Sequence, residues 1–213
     1  MKRTLITAHS GCEGTPDNSR GHLAAAAASG CEMLEIDIHG AHGGLYLSHD
    51  PSDPAGCLTF DEFLDLLRPI PGLRVNCDMK EDGLAAAVME AAKCRGMADR
   101  IVFTGSAHGE IDAIRARGGE YWYGIWETEE WERALAVCRA KNVGVINLPK
   151  GFVTPEVKAD MDARGIELSA WTANSEEELR RLLTLGIYNV TTRRPTLALQ
   201  LRDAIQGKEK ENV

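Results

Sequence analysis

Short apolar runs of β type alternate with helical patterns along the whole chain. The first run is Thr4–His9, followed by an alanine-rich helix predicted from Ser19 to Ser29, with Asn18 or Ser19 as N-cap and Gly30 as the stop. Met33–Ile38 is the second run; Gly43 and Gly44 then turn the chain, and Leu45–Ser48 returns as a hairpin strand. Thr59 with Glu62 forms a capping box that opens a helix running to Leu67, and Pro69 and Pro71 end it. The remaining strands read as Leu73–Met79, Ile101–Thr104, Tyr121–Ile125, Val143–Leu148, Ile166–Trp171 and Ile187–Thr191. Helices are predicted between them at Gly83–Cys94, His108–Ala116 and Glu129–Ala140. Another starts at Pro155 behind Thr154 and closes at Gly165, and one covers Leu179–Leu185 behind the capping box Ser175/Glu178. Pro195–Ile205 is the last.

Eight β-type runs, each followed by a helical one, predict a parallel α/β sheet with right-handed crossovers. Eight units favour closure into a (β/α)8 TIM barrel with an extra short hairpin strand after strand 2; a doubly wound open sheet is the alternative that periodicity leaves standing. No linker interrupts residues 1–206, which are expected to form a single domain, and the charged tail 207–213 is expected to be disordered. At 213 residues the chain is short for such a barrel, so its loops must be short.

The formal net charge of −8 argues against a nucleic-acid surface, which needs a basic face. It permits a small anionic substrate, because a local cluster of cation and lysine reverses the field inside one cleft. No run of apolar residues is long enough to span a bilayer, and Met1–Ile6 enters the first strand without a signal-peptide pattern, so a cytoplasmic location is expected. The six cysteines contain no CxxC pair, which argues for reduced thiols. Cys31, Cys77, Cys94 and Cys138 read as core fillers, and Cys12 as a candidate reactive thiol. Oligomeric state is not legible.

Polar residues at the carboxyl ends of strands carry the candidate chemistry, since barrel active sites lie there. Glu35 and Asp37 are two apart on one strand and share a face; Asp78 and Lys80 repeat that parity on the next barrel strand, behind Asn76. Three converging carboxylates repel unless protonated or bound to a cation, and an all-oxygen set fits Mg²⁺ or Ca²⁺. His9 and His49 each end a strand beside them, placed to divide acid and base roles. His22, His39, His42 and His108 read as structural; His39 and His42 flank Gly40, but no cysteine stands at zinc-ligand spacing from them.

In order, the chain shows His9-Ser10-Gly11, Pro16-Asp17-Asn18-Ser19, Leu34-Glu35-Ile36-Asp37-Ile38 and Ser48-His49-Asp50-Pro51. Asn76-Cys77-Asp78-Met79-Lys80, Trp171-Thr172-Ala173-Asn174 and Thr192-Arg193-Arg194-Pro195 follow. This ordered set resembles the glycerophosphodiester phosphodiesterase family over nearly the whole chain. The resemblance implies metal-dependent hydrolysis of glycerophosphodiesters to glycerol 3-phosphate and an alcohol, a reaction of lipid metabolism. Glu35, Asp37 and Asp78 would hold the cation, and His9 and His49 would act as acid and base in either order. Lys80 would meet a phosphate oxygen, and Trp171 would give the substrate an apolar face. Ser10 and Asp17 stand at further substrate-binding positions of the family pattern.

Several positions depart from that pattern. Ser10 replaces an arginine, Asp17 and Asp78 each replace a glutamate, and Arg193 replaces the closing aspartate; Arg193 and Lys150 are candidates to restore the missing positive charge. Only 28 residues separate His49 from Asp78, so the family's usual insertion there is nearly absent. Two other readings follow from the same residues: a sphingomyelinase D-like enzyme on the same barrel, and a phosphoester-binding barrel that has lost catalysis.

Overall fold

The computed structural model describes residues 3–41 and 44–207. His42, the Gly43 half of the predicted turn and the tail from Lys208 lie outside the described residues. The strands are β1 Leu5–Ala8, β2 Met33–Ala41, β3 Gly44–Leu47, β4 Arg74–Met79, β5 Ile101–Gly105, β6 Glu120–Tyr121, β7 Tyr123–Gly124, β8 Val145–Pro149, β9 Glu167–Trp171 and β10 Asn189–Thr192. The helices are α1 Arg20–Ser29, α2 Phe60–Leu67, α3 Ala85–Cys94, α4 Ile111–Ala116, α5 Trp131–Lys141, α6 Pro155–Arg164, α7 Glu176–Leu185 and α8 Pro195–Gln206.

Nine parallel strands run in the order β6-β5-β4-β2-β1-β10-β9-β8-β7, and β3 adds antiparallel to β2. First and last strands pair directly, Leu5 opposite Asn189 and Ala8 opposite Thr192, which leaves β6 and β7, neighbours along the chain, as the two ends of the sheet. The predicted fifth strand is split around Trp122: Tyr121 registers with Phe103 on one side, and Tyr123 with Ile146 on the other. The chain there bonds first to one neighbour and then to the other, with the Trp122 N–H donating to the Phe103 carbonyl at 2.9 Å. The result is a nearly closed α/β barrel of the TIM type.

Helix ends follow the local signals. Ser19 accepts from His22 N at α1, Thr154 precedes Pro155 at α6, and the boxes Thr59/Glu62 and Ser175/Glu178 are both formed. The predicted His108–Ala116 helix is a tight single turn at His108–Glu110 leading into α4. Outward-facing strand residues such as Ile6, Leu34, Ile36, Val75, Cys77 and Ile146 are fully buried and pack with the helices into one large core.

The barrel interior is layered. At its amino-terminal end Met33, Val102, Trp122 and Val145 form an apolar plug. Above it lies a hydrogen-bonded polar belt. Thr7 Oγ1 donates to Asn189 Oδ1, Asn189 Nδ2 to Ser169 Oγ and Ser169 Oγ to Asn147 Oδ1, while Thr104 Oγ1 donates to Asn76 Oδ1 across β4 and β5. Buried hydroxyls and amides satisfied in this way tie strands together without exposing unpaired dipoles. The belt is the floor on which the charged residues stand.

Two cysteine expectations change. Cys94 is exposed at the end of α3, its thiol near Glu90, because the last turn of that helix faces solvent; Cys31, Cys77 and Cys138 are buried as expected. Cys12 is buried, and burial pushes its thiol pKa up to about 12, so its thiolate is scarce and it packs as a small apolar residue. No helix among the described residues is long and apolar enough to cross a membrane.

His22 of α1 is buried, its Nε2 lacks a partner, and burial lowers its pKa to about 4 despite a hydrogen bond to the Ala8 backbone. Its folded pKa lies below the unfolded value, so between about pH 6.5 and pH 4 the unfolded chain takes a proton that the fold refuses. Stability is then full above that window and falls through it by on the order of 3 kcal/mol. Urea unfolding at pH 7 and pH 4.5 should show a smaller acid loss for His22→Leu than for the parent; equal losses would remove His22 from this role.

Candidate functional site

The carboxyl ends of β1, β2, β4, β5, β8 and β9 surround a pocket of about 150 Å³. Its walls hold His9, Glu35, Asp37, His49, Asp78 and Lys80, residues that lie far apart in sequence. Registry explains the convergence: Glu35 stands opposite Asn76 and Asp37 opposite Asp78, so the two-residue periodicity of both strands turns all three acids to the same side. Oxygens of Glu35, Asp37 and Asp78 lie within 4.8 Å of one another.

Each acid is held differently. Asp37 is almost wholly buried; its Oδ1 meets Lys80 Nζ at 2.7 Å and its Oδ2 accepts from Asn18 Nδ2 at 2.8 Å. Asn18 Oδ1 also accepts the Asp37 backbone N–H at 3.0 Å, so one amide brackets both ends of the residue. Asp78 Oδ2 meets Lys80 Nζ at 2.5 Å, and its Oδ1 accepts from Thr104 Oγ1 at 3.3 Å. Glu35 has no such partner: its Oε2 is buried without a hydrogen bond, 3.7 Å from His9 Nε2. Burial first, and then Asp37 and Asp78, push the Glu35 carboxyl well above the ordinary range. Burial works against the Lys80 ammonium, but Asp78 and Asp37 outweigh it and hold the pKa above the usual lysine value.

The imidazoles sit in contrasting surroundings. His9 is mostly buried, and burial lowers its pKa. Its Nδ1 lies 2.9 Å from the Ser10 carbonyl oxygen, an acceptor only, so Nδ1 carries the proton and Nε2 is left as a base toward the pocket. His49 is 62% exposed, with Nδ1 3.1 Å from Asp50 Oδ1. Behind it, His39 is buried between Glu81, 2.7 Å from Nδ1, and the His49 carbonyl at 3.5 Å from Nε2, and it stacks on Tyr46.

Gly105 also borders the pocket. It adopts φ +74°, and a Cβ there would come within 2.5 Å of Asp78 Oδ1 and 2.4 Å of the Met79 carbonyl, so only glycine leaves Asp78 in place.

Trp171 lines the pocket, but two other expected substrate contacts lie outside it. Ser10 is fully buried, and its Oγ accepts from the Asn18 N–H at 2.9 Å; it fixes the asparagine that brackets Asp37. Asp17 faces a neighbouring groove and is clamped by both terminal nitrogens of Arg193, at 2.8 and 3.0 Å. The Arg193 N–H is in turn accepted by Asn174 Oδ1. Lys150 pairs with Glu178 at 2.7 Å and does not border the pocket. Of the two candidate replacement charges, Arg193 is the nearer, and its field is felt at His9 and Glu35.

Sequence reading passed over Trp126, Thr104 and Asn147, all on the pocket wall. Trp126 stands just beyond the carboxyl end of β7, the criterion that singles out the histidines, whereas Thr104 and Asn147 lie within β5 and β8. Trp126 is 45% exposed, with its ring against Gly124 and edge-on to His108. His108 is anchored by Tyr121 Oη at 2.6 Å.

No protein-family model and no curated protein matches the chain. Solved structures do. A glycerophosphodiester phosphodiesterase from Parabacteroides distasonis superposes with a TM-score of 0.81 at 15% identity, covering 95% of this chain and 98% of that one. The enzyme of the same name from Thermotoga maritima gives 0.74 at 21% identity, covering 94% and 99%. A phosphodiesterase from Oleispira antarctica, solved with its product sn-glycerol-3-phosphate, gives 0.75 at 17% identity, covering 94% and 97%. At these identities the likeness carries the architecture, and this chain has the barrel fold on which those phosphodiesterases are built.

Proposed function

We propose that the chain is a member of the glycerophosphodiester phosphodiesterase family, and that it hydrolyses small glycerophosphodiesters to glycerol 3-phosphate and an alcohol with the help of a divalent cation. The observation that carries this reading is the meeting, in one pocket, of three acidic side chains with two imidazoles and a lysine. The likeness to the barrels named above, one of them holding glycerol 3-phosphate, supports it.

The three acids fit a hard cation. Glu35 Oε2 is buried with no donor, and the oxygens of the set approach closely enough to share one ion. Asn18, Thr104 and Lys80 bond the carboxylate oxygens of Asp37 and Asp78, and contacts of that kind orient metal ligands. When bound, such an ion offsets the phosphate charge and acidifies an oxygen nucleophile.

The chain's own residues supply the proton transfers. His9 Nε2 accepts the proton of the attacking hydroxyl, whether water or the substrate's own glycerol 2-hydroxyl. His49, on the open rim, donates a proton to the alcohol oxygen as its bond to phosphorus breaks. When water attacks, one P–O bond forms as the ester P–O bond breaks, and solvent then takes the proton from His9 and returns one to His49; when the glycerol 2-hydroxyl attacks, the alcohol leaves first and water opens the cyclic phosphate in a second step with the two imidazoles exchanging roles. Lys80 adds positive charge beside the phosphate oxygens, and Trp171 offers an apolar wall to the glycerol carbons. The six free thiols suit a reducing compartment.

Glycerophosphocholine and lysophosphatidylcholine, each incubated with Mg²⁺, Ca²⁺ or EDTA, test the reading. Release of glycerol 3-phosphate from the former, only with metal, is the expected result. A cyclic phosphate as sole product would instead make the chain a sphingomyelinase D-like enzyme. Binding without turnover would make it a phosphoester-binding barrel.

A further inference from the structure

We infer that the groove beside the acidic pocket is the subsite for the leaving alcohol, and that it takes a polyol. The inference rests on the hydrolytic reading above and names the half of the substrate that reading leaves open. The groove runs between Pro16–Gly21, which leads into α1, and the segment from Leu47 to Leu58 that joins β3 to α2; it encloses about 870 Å³. The acidic pocket, at about 150 Å³, has room for the phosphate end of a diester but not for both of its arms.

His49 borders both cavities. A general acid must stand within hydrogen-bond reach of the oxygen it protonates. The alcohol bonded to that oxygen then extends away from the carboxylates, past His49, and the space on that side is the groove. The opposite wall of the pocket is formed by Trp126 and Trp171.

The lining selects the class of alcohol. Hydrogen-bonding groups of Asp17, Ser19, Asp50 and Ser52 alternate with the apolar surfaces of Pro16 and Leu58. A polyol presents the same mixture of hydroxyl edges and C–H faces. The carboxylates are already engaged: Asp17 by Arg193, Glu62 by Arg20 and by the N–H and hydroxyl of Thr59 at its helix cap, Asp50 by His49. An ammonium headgroup would have to compete with those partners, and no continuous aliphatic wall is present to hold an acyl chain.

Gly56 lines the groove, its backbone is outside the left-handed region, and no atom lies within 4 Å of a Cβ placed there. Gly56→Trp therefore places a bulky ring on the groove wall without a clash at its own Cβ, at a position that does not line the pocket. Its kcat/KM should fall at least about tenfold with glycerophospho-myo-inositol and stay within about twofold of the parent with the methyl ester, glycerophosphomethanol. Methyl-ester turnover also reports that fold and catalytic centre are intact, and Ala55→Trp, on the same wall, repeats the test if the first variant does not fold. Equal losses on both esters in a folded variant, or no loss on either, would overturn the subsite. Faster parent turnover of the choline ester than of the inositol ester would overturn the polyol assignment. Failure of the parent protein to cleave any of these esters would instead sink the hydrolytic reading itself.

Discussion

His9→Ala is expected to lower kcat for a glycerophosphodiester by about two or more orders of magnitude, with a much smaller change in KM. The split follows from its position. His9 is held by its own Nδ1–H to the Ser10 carbonyl, so the imidazole contributes a base at Nε2 rather than a clamp on the ground-state phosphate. His9→Gln retains a polar side chain without the imidazole and should not restore the rate. His49→Ala should cost a comparable factor with poor leaving groups and far less with an activated aryl ester, whose departing oxygen needs no proton. A parent-like rate for His9→Ala, measured on purified folded protein, would remove His9 from the chemistry.

The second large effect concerns Glu35, and its sign differs between activity and stability. Glu35→Gln keeps the shape of the side chain but removes a buried carboxyl that already resists ionisation, chiefly through burial and then through Asp37 and Asp78. Activity with saturating Mg²⁺ or Ca²⁺ should drop by about three orders of magnitude, since the cation loses one of its charged ligands. In EDTA the variant should melt at or above the parent temperature, because one of three crowded acids is gone. Added metal should raise the parent melting temperature by mass action and leave that of the variant nearly unmoved. Equal metal-induced shifts in both proteins, read by differential scanning fluorimetry, would show that the ion binds elsewhere.

Much of this architecture can be read from the chain because local rules and tertiary packing agree. The caps at Ser19, Thr59, Thr154 and Ser175 fix four helix starts, and the glycines at 30, 165 and 186 fix three ends. Parity puts Glu35 and Asp37 on one face of β2 and Asp78 and Lys80 on one face of β4, since side chains alternate along a strand, and the register of Asp37 opposite Asp78 brings the two sets together. What escaped sequence reading depends on contacts between distant segments. Strand five is divided because Tyr121 and Tyr123 bond to different neighbours, which no local propensity records. Cys94 faces water because of where α3 ends against the barrel, although its flanking residues are apolar.

Ser10 and Asp17 show the same limit at the site. Their positions in the motif suggest substrate contacts; Ser10 bonds the Asn18 backbone away from the acidic pocket, and Asp17, paired with Arg193, faces the neighbouring groove. Gly11 makes the latter pair possible, since a Cβ there would collide with Asp17 Oδ1 at 1.9 Å. A motif preserves the order of residues along the chain, whereas hydrogen bonding to partners 8 and 176 residues away decides what each one touches.

A crystal of the protein soaked with Mn²⁺ and glycerol 3-phosphate, with anomalous data collected at the metal edge, tests the account at its centre. One strong peak is predicted, bonded to Glu35, Asp37 and Asp78 at roughly 2.0–2.6 Å, with the phosphate lying between His9 and Lys80. A metal bound away from those three carboxylates, or a phosphate seated elsewhere on the barrel, would contradict it.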